Sequence, residues 1–469
     1  MSNADLRAQA TDLISAISRQ QHILDSLQTQ LQNVQRQLDA IVYPVLILPP
    51  EITSEIFVQC LPDRRQWDVV NPDEAPLLLM HVCSAWRNIA VSTPALWSTL
   101  EISATDIAPY FLEIVQIWLQ RSGQRPLSVR ISGYVSQIER FVEFLKTFGQ
   151  HSGRMRTLDL AMPEESFKAM DGQRLALSLL HTLKIDSFVT EDPPNPVTIF
   201  HDVDVPALRE VFMTESPPSF IALPWKQLTK FTGEGIAAAD CRKVLRLMPN
   251  LVDCSFAVFK DFEDGISAVS HPNIESFTLF KYFSDETGTL TDSTAVLASL
   301  TLPNLQTLKL LYSDPDDFDS DVFDAFLFRS GSRLQKLGIS SVHHIGVASL
   351  RRVPSLVDLE IDHPHTSFIR NLFPSFGCDT TLLPRLRTLS FLGCVQGGAS
   401  VSDIVRMAAA PMTDQMNAPD GFVPLQSFRL ISNVQSPVPL CPDHELLPFK
   451  ELKAAGMDIY IGTDTESFI

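Results

Sequence analysis

LQTLKL runs from Leu305 to Leu310, LQKLGI from Leu334 to Ile339, and LVDLEI from Leu356 to Ile361. In each, apolar residues alternating over the last three positions describe a strand with one apolar face. The same form recurs upstream as MRTLDL (Met155 to Leu160), LHTLKI (Leu180 to Ile185), LREVFM (Leu208 to Met213), LVDCSF (Leu251 to Phe256) and IESFTL (Ile274 to Leu279). Downstream it returns as LRTLSF (Leu386 to Phe391) and LQSFRL (Leu425 to Leu430), and LTKFTG (Leu228 to Gly233) is a degenerate copy. Successive starts stand 20 to 39 residues apart, which allows one strand and one helix or turn per unit.

Self-similarity at this period predicts an α/β solenoid of the leucine-rich-repeat type, a parallel sheet with outer helices over residues 103–469. Irregular spacing, and the lack of a clear Asn after each strand, mark a divergent version. Between the strands, Tyr110 to Gln120, Ile138 to Phe148, Asp240 to Leu247 and Asp321 to Phe328 read as helices. Pro outnumbers Gly, 32 to 19, and Pro206, Pro249, Pro272, Pro303, Pro354 and Pro384 each stand two residues before a strand motif. Such a Pro ends the preceding helix and sets an extended lead into the strand.

With the Leu positions inward, the residues on either side of the central Leu face the open side of the sheet. That ladder holds Thr157 and Asp159, Thr182 and Lys184, Glu210 and Phe212, Ser276 and Thr278, Thr307 and Lys309, Asp358 and Glu360, and Ser427 and Arg429. Lys184, Glu210, Phe212, Lys309, Asp358, Glu360 and Arg429 are the candidate target-binding residues. Phe212, an aromatic on a polar face, is either an interface anchor or the floor under a neighbouring loop.

Residues 1–43 carry a different pattern. Leu6, Ala10, Leu13, Ile17, Gln20, Leu24, Leu27, Leu31, Val34, Leu38 and Ile41 follow alternating steps of four and three, and nine of the eleven are large aliphatics. This is a coiled-coil seam, predicting a long helix that ends near Tyr43-Pro44. It pairs with a partner helix, with a second copy of the chain, or folds back on its own chain. From residue 44 to 102 come two short amphipathic helices: one after Pro49-Pro50 with Ile52, Ile56 and Cys60 on one face, and one with Leu78, Val82, Trp86 and Ile89. A polar loop, Asp63 to Glu74, joins them.

The chain has 469 residues, 45% of them hydrophobic and 20% charged, so it can bury a large core and most of it is not disordered. The net charge of −18 argues against binding nucleic acid or an anionic membrane, and most of it, −13, belongs to the repeats. An acidic array leans toward basic targets. Seven scattered Cys with no CxxC pair imply reduced, mostly buried thiols in an intracellular protein, cytoplasmic or nuclear. No signal peptide or membrane span is read in the sequence.

Motifs for catalysis and phosphate binding are lacking, and no cofactor or metal is predicted. His343-His344, and His363 and His365 beside Asp362, lack the ligand set of a closed metal site. Asp314, Asp316, Asp317, Asp319 and Asp321 fail as a calcium loop, since Val322 and Phe328 stand where Gly and Glu are needed; they suit a helix N-terminus instead. Gly397-Gly398 reads as a turn. A non-enzymatic protein is expected.

The segment from Leu48 reads Leu48, Pro49, Pro50, Glu51, Ile52, then Ile56 and Phe57; it closes on Val82, Cys83, Trp86, Arg87, Ile89, Ala90, Pro94, Leu96 and Trp97. This resembles the F-box, in the F-box-like form common in mushroom-forming fungi, where a heptad helix often precedes and divergent repeats follow. The resemblance implies an all-α module that docks on a Skp-type adaptor within a cullin ubiquitin ligase, while the repeats bind an unknown protein substrate. Carried over, Leu48, Pro49, Ile52 and Ile56 match the adaptor-facing head. Val82, Trp86 and Leu96 match positions shared between internal packing and the adaptor surface. The loop from Pro62 to Glu74 is longer than in the compact family form. The expected protein is therefore a substrate receptor, and its rival is a coiled-coil and repeat scaffold without a ligase. All 12 Lys lie at or after Lys146, leaving the first two segments lysine-free.

Overall fold

The computed structural model describes residues 3–39, 47–62, 71–105, 107, 109–170, 175–187, 200, 204–259, 268–281, 293–311, 319–340, 346–379, 381–393, 400–416, 425–433, 441–463 and 465–469. Ile41, Tyr43-Pro44, the loop 63–70, Asp314, Asp316, Asp317, His343, His344 and Gly397-Gly398 lie outside the described residues. The chain forms two compact units: residues 1–97 with 121–123, and residues 98–120 with 124–469.

The first unit opens with α1 (Asn3–Asp39), 37 residues without Gly or Pro. Its seam is exposed: Leu6, Leu13, Ile17, Leu24, Leu27, Leu31 and Val34 are all at least half accessible. Then come α2 (Pro50–Gln59), α3 (Leu77–Val82), α4 (Ser84–Ser92) and a 3₁₀ turn, Pro94–Trp97. Pro50 takes the first helical position of α2, where no N–H is needed. The single helix expected through Leu78, Val82, Trp86 and Ile89 is two. Cys83 is extended (φ −159°, ψ 171°), and its Sγ accepts the Trp86 N–H at 3.5 Å, making Cys83 the N-cap of α4. Phe57, Leu79, Ala90, Leu96 and Trp97 form the buried core of this small unit.

The second unit is an open, solenoid-like α/β array. Its strands are β1 (Thr99–Ser103), β2 (Leu127–Ser132), β3 (Met155–Ala161), β4 (Thr182–Asp186), β5 (Glu210–Thr214), β6 (Lys230–Ala237), β7 (Asp253–Phe259), β8 (Val269–Ser270), β9 (Ser276–Lys281), β10 (Leu300–Thr301), β11 (Thr307–Leu311), β12 (Lys336–Ser340), β13 (Asp358–Asp362), β14 (Thr388–Leu392), β15 (Ser427–Ser432) and β16 (Asp458–Thr463). Among the described residues, all except β8 and β10 join one 14-stranded sheet in chain order, every pairing parallel; β8 and β10 pair with each other. The expected boundary at residue 102 falls inside β1, because Leu100 and Ile102 are buried in the sheet's core.

Helices connect the strands: α5 (Pro109–Arg121), α6 (Ile138–Gly149), α7 (Glu164–Lys168), α8 (Ala238–Leu247), α9 (Ser293–Ser299), α10 (Ser320–Ser330), α11 (Val347–Leu350), α12 (Thr366–Cys378), α13 (Val401–Met416) and α14 (Asp443–Ala454). They bury apolar faces, as α6 does with Phe141, Phe144, Leu145 and Phe148. Each fully buried side chain of this size contributes about 2 kcal/mol from apolar area removed from water.

Register turns the sequence repeat into rows. Leu308 pairs with Leu337, Leu337 with Leu359, Leu359 with Leu389 and Leu389 with Phe428, all buried. In the degenerate repeat, Gly233 occupies a core row. A Cβ there would meet Ile236 Cδ1 at 2.8 Å and Phe231 Cε1 at 2.9 Å, so the flanking side chains fill the space that its own would take. The prolines do something other than lead into the strand. In Leu302-Pro303-Asn304-Leu305 the Leu305 N–H bonds back to the Leu302 carbonyl at 3.2 Å, which places Pro303 at the second position of a tight turn, where its fixed φ is preset. The same bond recurs at Val205/Leu208, Met248/Leu251, Val353/Leu356 and Leu383/Leu386.

Candidate interaction surfaces

Three surfaces follow from this architecture. On the first unit, α2 buries Thr53 and Phe57 inward; Phe57 packs on Trp86, ring centroids 4.9 Å apart, and Trp97 Nε1 donates to the Ala90 carbonyl at 2.9 Å. With that core filled, the opposite side of α2 has nothing left to cover within the unit. Leu48, Pro49, Ile52 and Ile56 are exposed, Ile52 to 50% and Ile56 to 44%, and so is Val82 on α3, to 54%. Cys60, expected on the same face, is exposed too. Trp86 is half-buried against Phe57. Leu96 is fully buried, so its place is in the packing rather than on a surface a partner could touch. Arg121 closes this unit's far side, its guanidinium 4.5 Å from the Trp97 ring centroid and donating to Met80 Sδ.

The second surface is the open face of the sheet. One row runs Glu101, Arg130, Asp159, Lys184, Phe212, Thr232, Ser255, Thr278, Lys309, Gly338, Glu360, Ser390, Arg429, Tyr460, each in register with the next. The row beside it holds Glu210 and Asp358. All seven candidate target-binding residues therefore share one face. Much of the face is paired across strands. Arg130 meets Glu101 at 3.4 Å and Asp159 at 2.9 Å, Lys230 meets Asp253 at 3.3 Å, Lys309 meets Glu360 at 3.8 Å, and Arg429 meets Asp458 at 3.4 Å. Glu210 accepts from Thr182 Oγ1 at 3.1 Å. Phe212 is half-buried, and what lies over it is Lys184, Nζ 5.3 Å from the ring centroid. Burial pushes the Asp186 carboxyl above the ordinary carboxylate range, Arg130 opposes this, and Asp159 and Glu215 add to it.

The third surface is the edge where the strands begin, and sequence reasoning missed it. The Asn that leucine-rich repeats carry after each strand is lacking in the sequence, and the structure uses one before the strand instead. Asn250 Nδ2 donates to the Lys226 carbonyl, Asn273 to that of Pro249 and Asn304 to that of Pro272, all within 2.8 Å. Gln227 precedes this run with a bond to the Val205 carbonyl at 2.7 Å, and Ser355 extends it, donating to the Leu334 carbonyl at 2.7 Å. The repeated Pro-Asn before Leu or Ile was the visible signal. Alongside, single carbonyls each accept two N–H groups from the next repeat: Glu275 from Gln306 and Thr307, Gln306 from Gln335 and Lys336, Gln335 from Val357 and Asp358.

Among the described residues with metal-ligating chemistry, the His363, Asp362, His365 and Asp319 side chains have structural partners. His363 Nδ1 lies 2.9 Å from Asp362, and His365 caps α12 by accepting the Ser367 N–H at 3.2 Å. Asp319 caps α10 by accepting from Asp321 and Val322, as expected for a carboxylate at a helix N-terminus. Cys241 and Cys254 are buried, and burial raises both thiols far above the ordinary range; Cys441 is pushed up to about 12 by burial and then by Glu445. Among the described residues no group of three or more His, Cys, Asp or Glu could hold a metal ion, and no helix is long and apolar enough to cross a membrane.

No protein-family model matches the chain, and no curated protein matches it.

Proposed function

We propose that the chain is a non-catalytic substrate receptor of a Skp, cullin and F-box type ubiquitin ligase. In this reading α2 to α4 form an F-box-like module that docks a Skp-type adaptor, and the 14-stranded sheet is a divergent leucine-rich-repeat array that holds a protein target. One observation carries it: within the sequence that resembles the F-box, Leu48, Pro49, Ile52, Ile56 and Val82 are exposed while the core beneath them is complete. Aliphatic side chains on a module this small, with no apolar gap of their own to fill, suit a partner's apolar surface. The reading places the protein in the cytoplasm or nucleus, with no cofactor and no nucleic-acid or membrane partner.

A pull-down with purified Skp adaptor tests it. The intact chain binds; Pro49→Ala combined with Ile52→Asp abolishes binding, and circular dichroism shows the sheet still folded. Failure of the intact chain to bind overturns the reading. The alternative is a scaffold without a ligase, favoured by the exposed seam of α1, which fits a partner helix or a second copy of the chain.

A further inference from the structure

The edge where β11 to β14 begin holds a trough of about 790 Å³. Gln306, Gln335, Val357 and Arg387, one from each of four successive repeats, form its floor, and Arg333 and Arg385 stand along it. Three guanidiniums thus gather on a chain whose net charge is −18, and no carboxylate lines the trough among the described residues. Nearby cations are answered: Arg351 by Asp379 at 2.8 Å and Arg352 by Asp324 at 3.4 Å. Among the described residues, the Arg333 guanidinium bonds a neutral oxygen, Asn304 Oδ1 at 2.8 Å, and no carboxylate. The Arg385 and Arg387 guanidiniums have no hydrogen bond or ion pair among the described residues.

We infer that this trough binds an acidic peptide segment in extended, polyproline-like conformation, with carboxylates three residues apart. Guanidinium forks match carboxylates in bidentate geometry. The backbones that carry the cations are spread along the edge: Arg333 belongs to the repeat of β12 and Arg387 to that of β14, two strand spacings away, or roughly 9.6 Å. In a polyproline II helix, residues three apart lie on one face and are separated by about 9.3 Å. Along the trough, the Gln335 amide and, beyond Arg333, the Gln306 amide can pair with peptide groups, and Val357 offers apolar floor. This surface needs neither the adaptor nor a ligase, so it stands or falls apart from the function proposed above.

Fluorescence anisotropy with the full chain tests it, using labelled acetyl-(Glu-Pro-Pro)3-amide, its Gln counterpart, and inorganic phosphate as competitor. The Glu peptide binds about tenfold more tightly than the Gln peptide, as a few exposed guanidinium–carboxylate pairs allow. Arg385→Glu with Arg387→Glu removes that preference, the milder pair Arg385→Gln with Arg387→Gln reduces it, and Arg125→Glu at a distant exposed site leaves it intact. Thermal melts identical to the parent confirm that each variant is folded. Equal binding of the two peptides, equal loss in the Arg125 variant, or displacement by phosphate at concentrations comparable to the peptide's overturns the proposal, the last in favour of a small-anion site.

Discussion

Lys309 Nζ lies 3.8 Å from Glu360 Oε1, although β11 and β13, which carry them, are not neighbours. The two side chains meet over Gly338 on β12, the residue in register with both. A Cβ on Gly338 would stand 3.3 Å from Lys309 Cγ and 3.7 Å from Glu360 Oε1. The missing side chain is what lets the pair span a strand.

Gly338→Val therefore separates the pair. Both partners are near half-exposed, so a double-mutant cycle of Lys309→Met and Glu360→Gln reads a coupling of at most about 0.5 kcal/mol in the parent. In the Gly338→Val background that coupling vanishes. A coupling unchanged by the valine would show that the two charges do not meet over this strand.

Core and surface in α2 differ by one position, and their substitutions part accordingly. Phe57→Ala removes a side chain 1% exposed and leaves Trp86 without its partner, costing about 3–5 kcal/mol, enough to melt the small unit. Ile56→Asp, on the exposed side, changes stability by about 0.5 kcal/mol or less. Tryptophan fluorescence against urea distinguishes them.

Asn304 both donates to Pro272 and accepts from Arg333, whereas Asn273 only donates to Pro249. Asn273→Ala costs about 1 kcal/mol, the net worth of one such bond, and Asn304→Ala costs more. Chemical denaturation gives both values; equal losses would mean that the Arg333 bond contributes nothing.

A second copy of the chain is one occupant that the α1 seam fits, and sedimentation tests it. Leu24→Asp with Leu27→Asp puts charge on two adjacent seam positions that are exposed in the single chain, and sedimentation then reports monomers. Gln20→Leu removes the polar residue from the seam and raises the melting temperature of the assembly. Monomers in the parent at micromolar concentration would leave the seam without a partner of its own kind.

Asp379 gives a pH dependence with a definite sign. Hydrogen bonds from the Thr381 side chain and backbone, then from Arg351, hold its carboxyl down to about 2. A folded-state pKa below the unfolded one contributes stability that is present above about pH 4 and lost as pH falls toward 2. Between those limits the urea midpoint of Asp379→Asn falls less steeply with acid than the parent's.

Strands were legible because alternation survives divergence: Leu308, Leu337 and Leu359 need only be apolar to be recognised. Strands β1, β2 and β16 lack the leading Leu spacing, though Leu100 and Ile102, Leu127, Val129 and Ile131, and Ile459 and Ile461 keep the alternation. The break at Cys83 was invisible, since Leu78, Val82 and Trp86 stay in helical phase across it and the cap is a sulfur. The lead-in prolines are visible in the sequence, but their turn is not, because it depends on a bond from a residue two places on. The basic trough was hidden by the −18, an average that says nothing of where three arginines gather. Of the seven residues expected on the outer surface of the α2 to α4 module, Leu48, Pro49, Ile52, Ile56 and Val82 are exposed, Trp86 is half-buried and Leu96 is buried, a core position that local pattern cannot tell from a surface one.

The paired N–H groups on one carbonyl, repeated from β4 to β15, act as a hinge pin that the units between those strands return to. A bulge in β6 absorbs one residue, and the rest of the variation, in units 20 to 39 residues long, falls in the connections between strands. Insertions and deletions there leave the outward rows in step, whereas one residue gained within a strand would turn those rows inside out. Such an array can change what it grips by swapping letters on fixed rungs, and can grow behind them without losing its place.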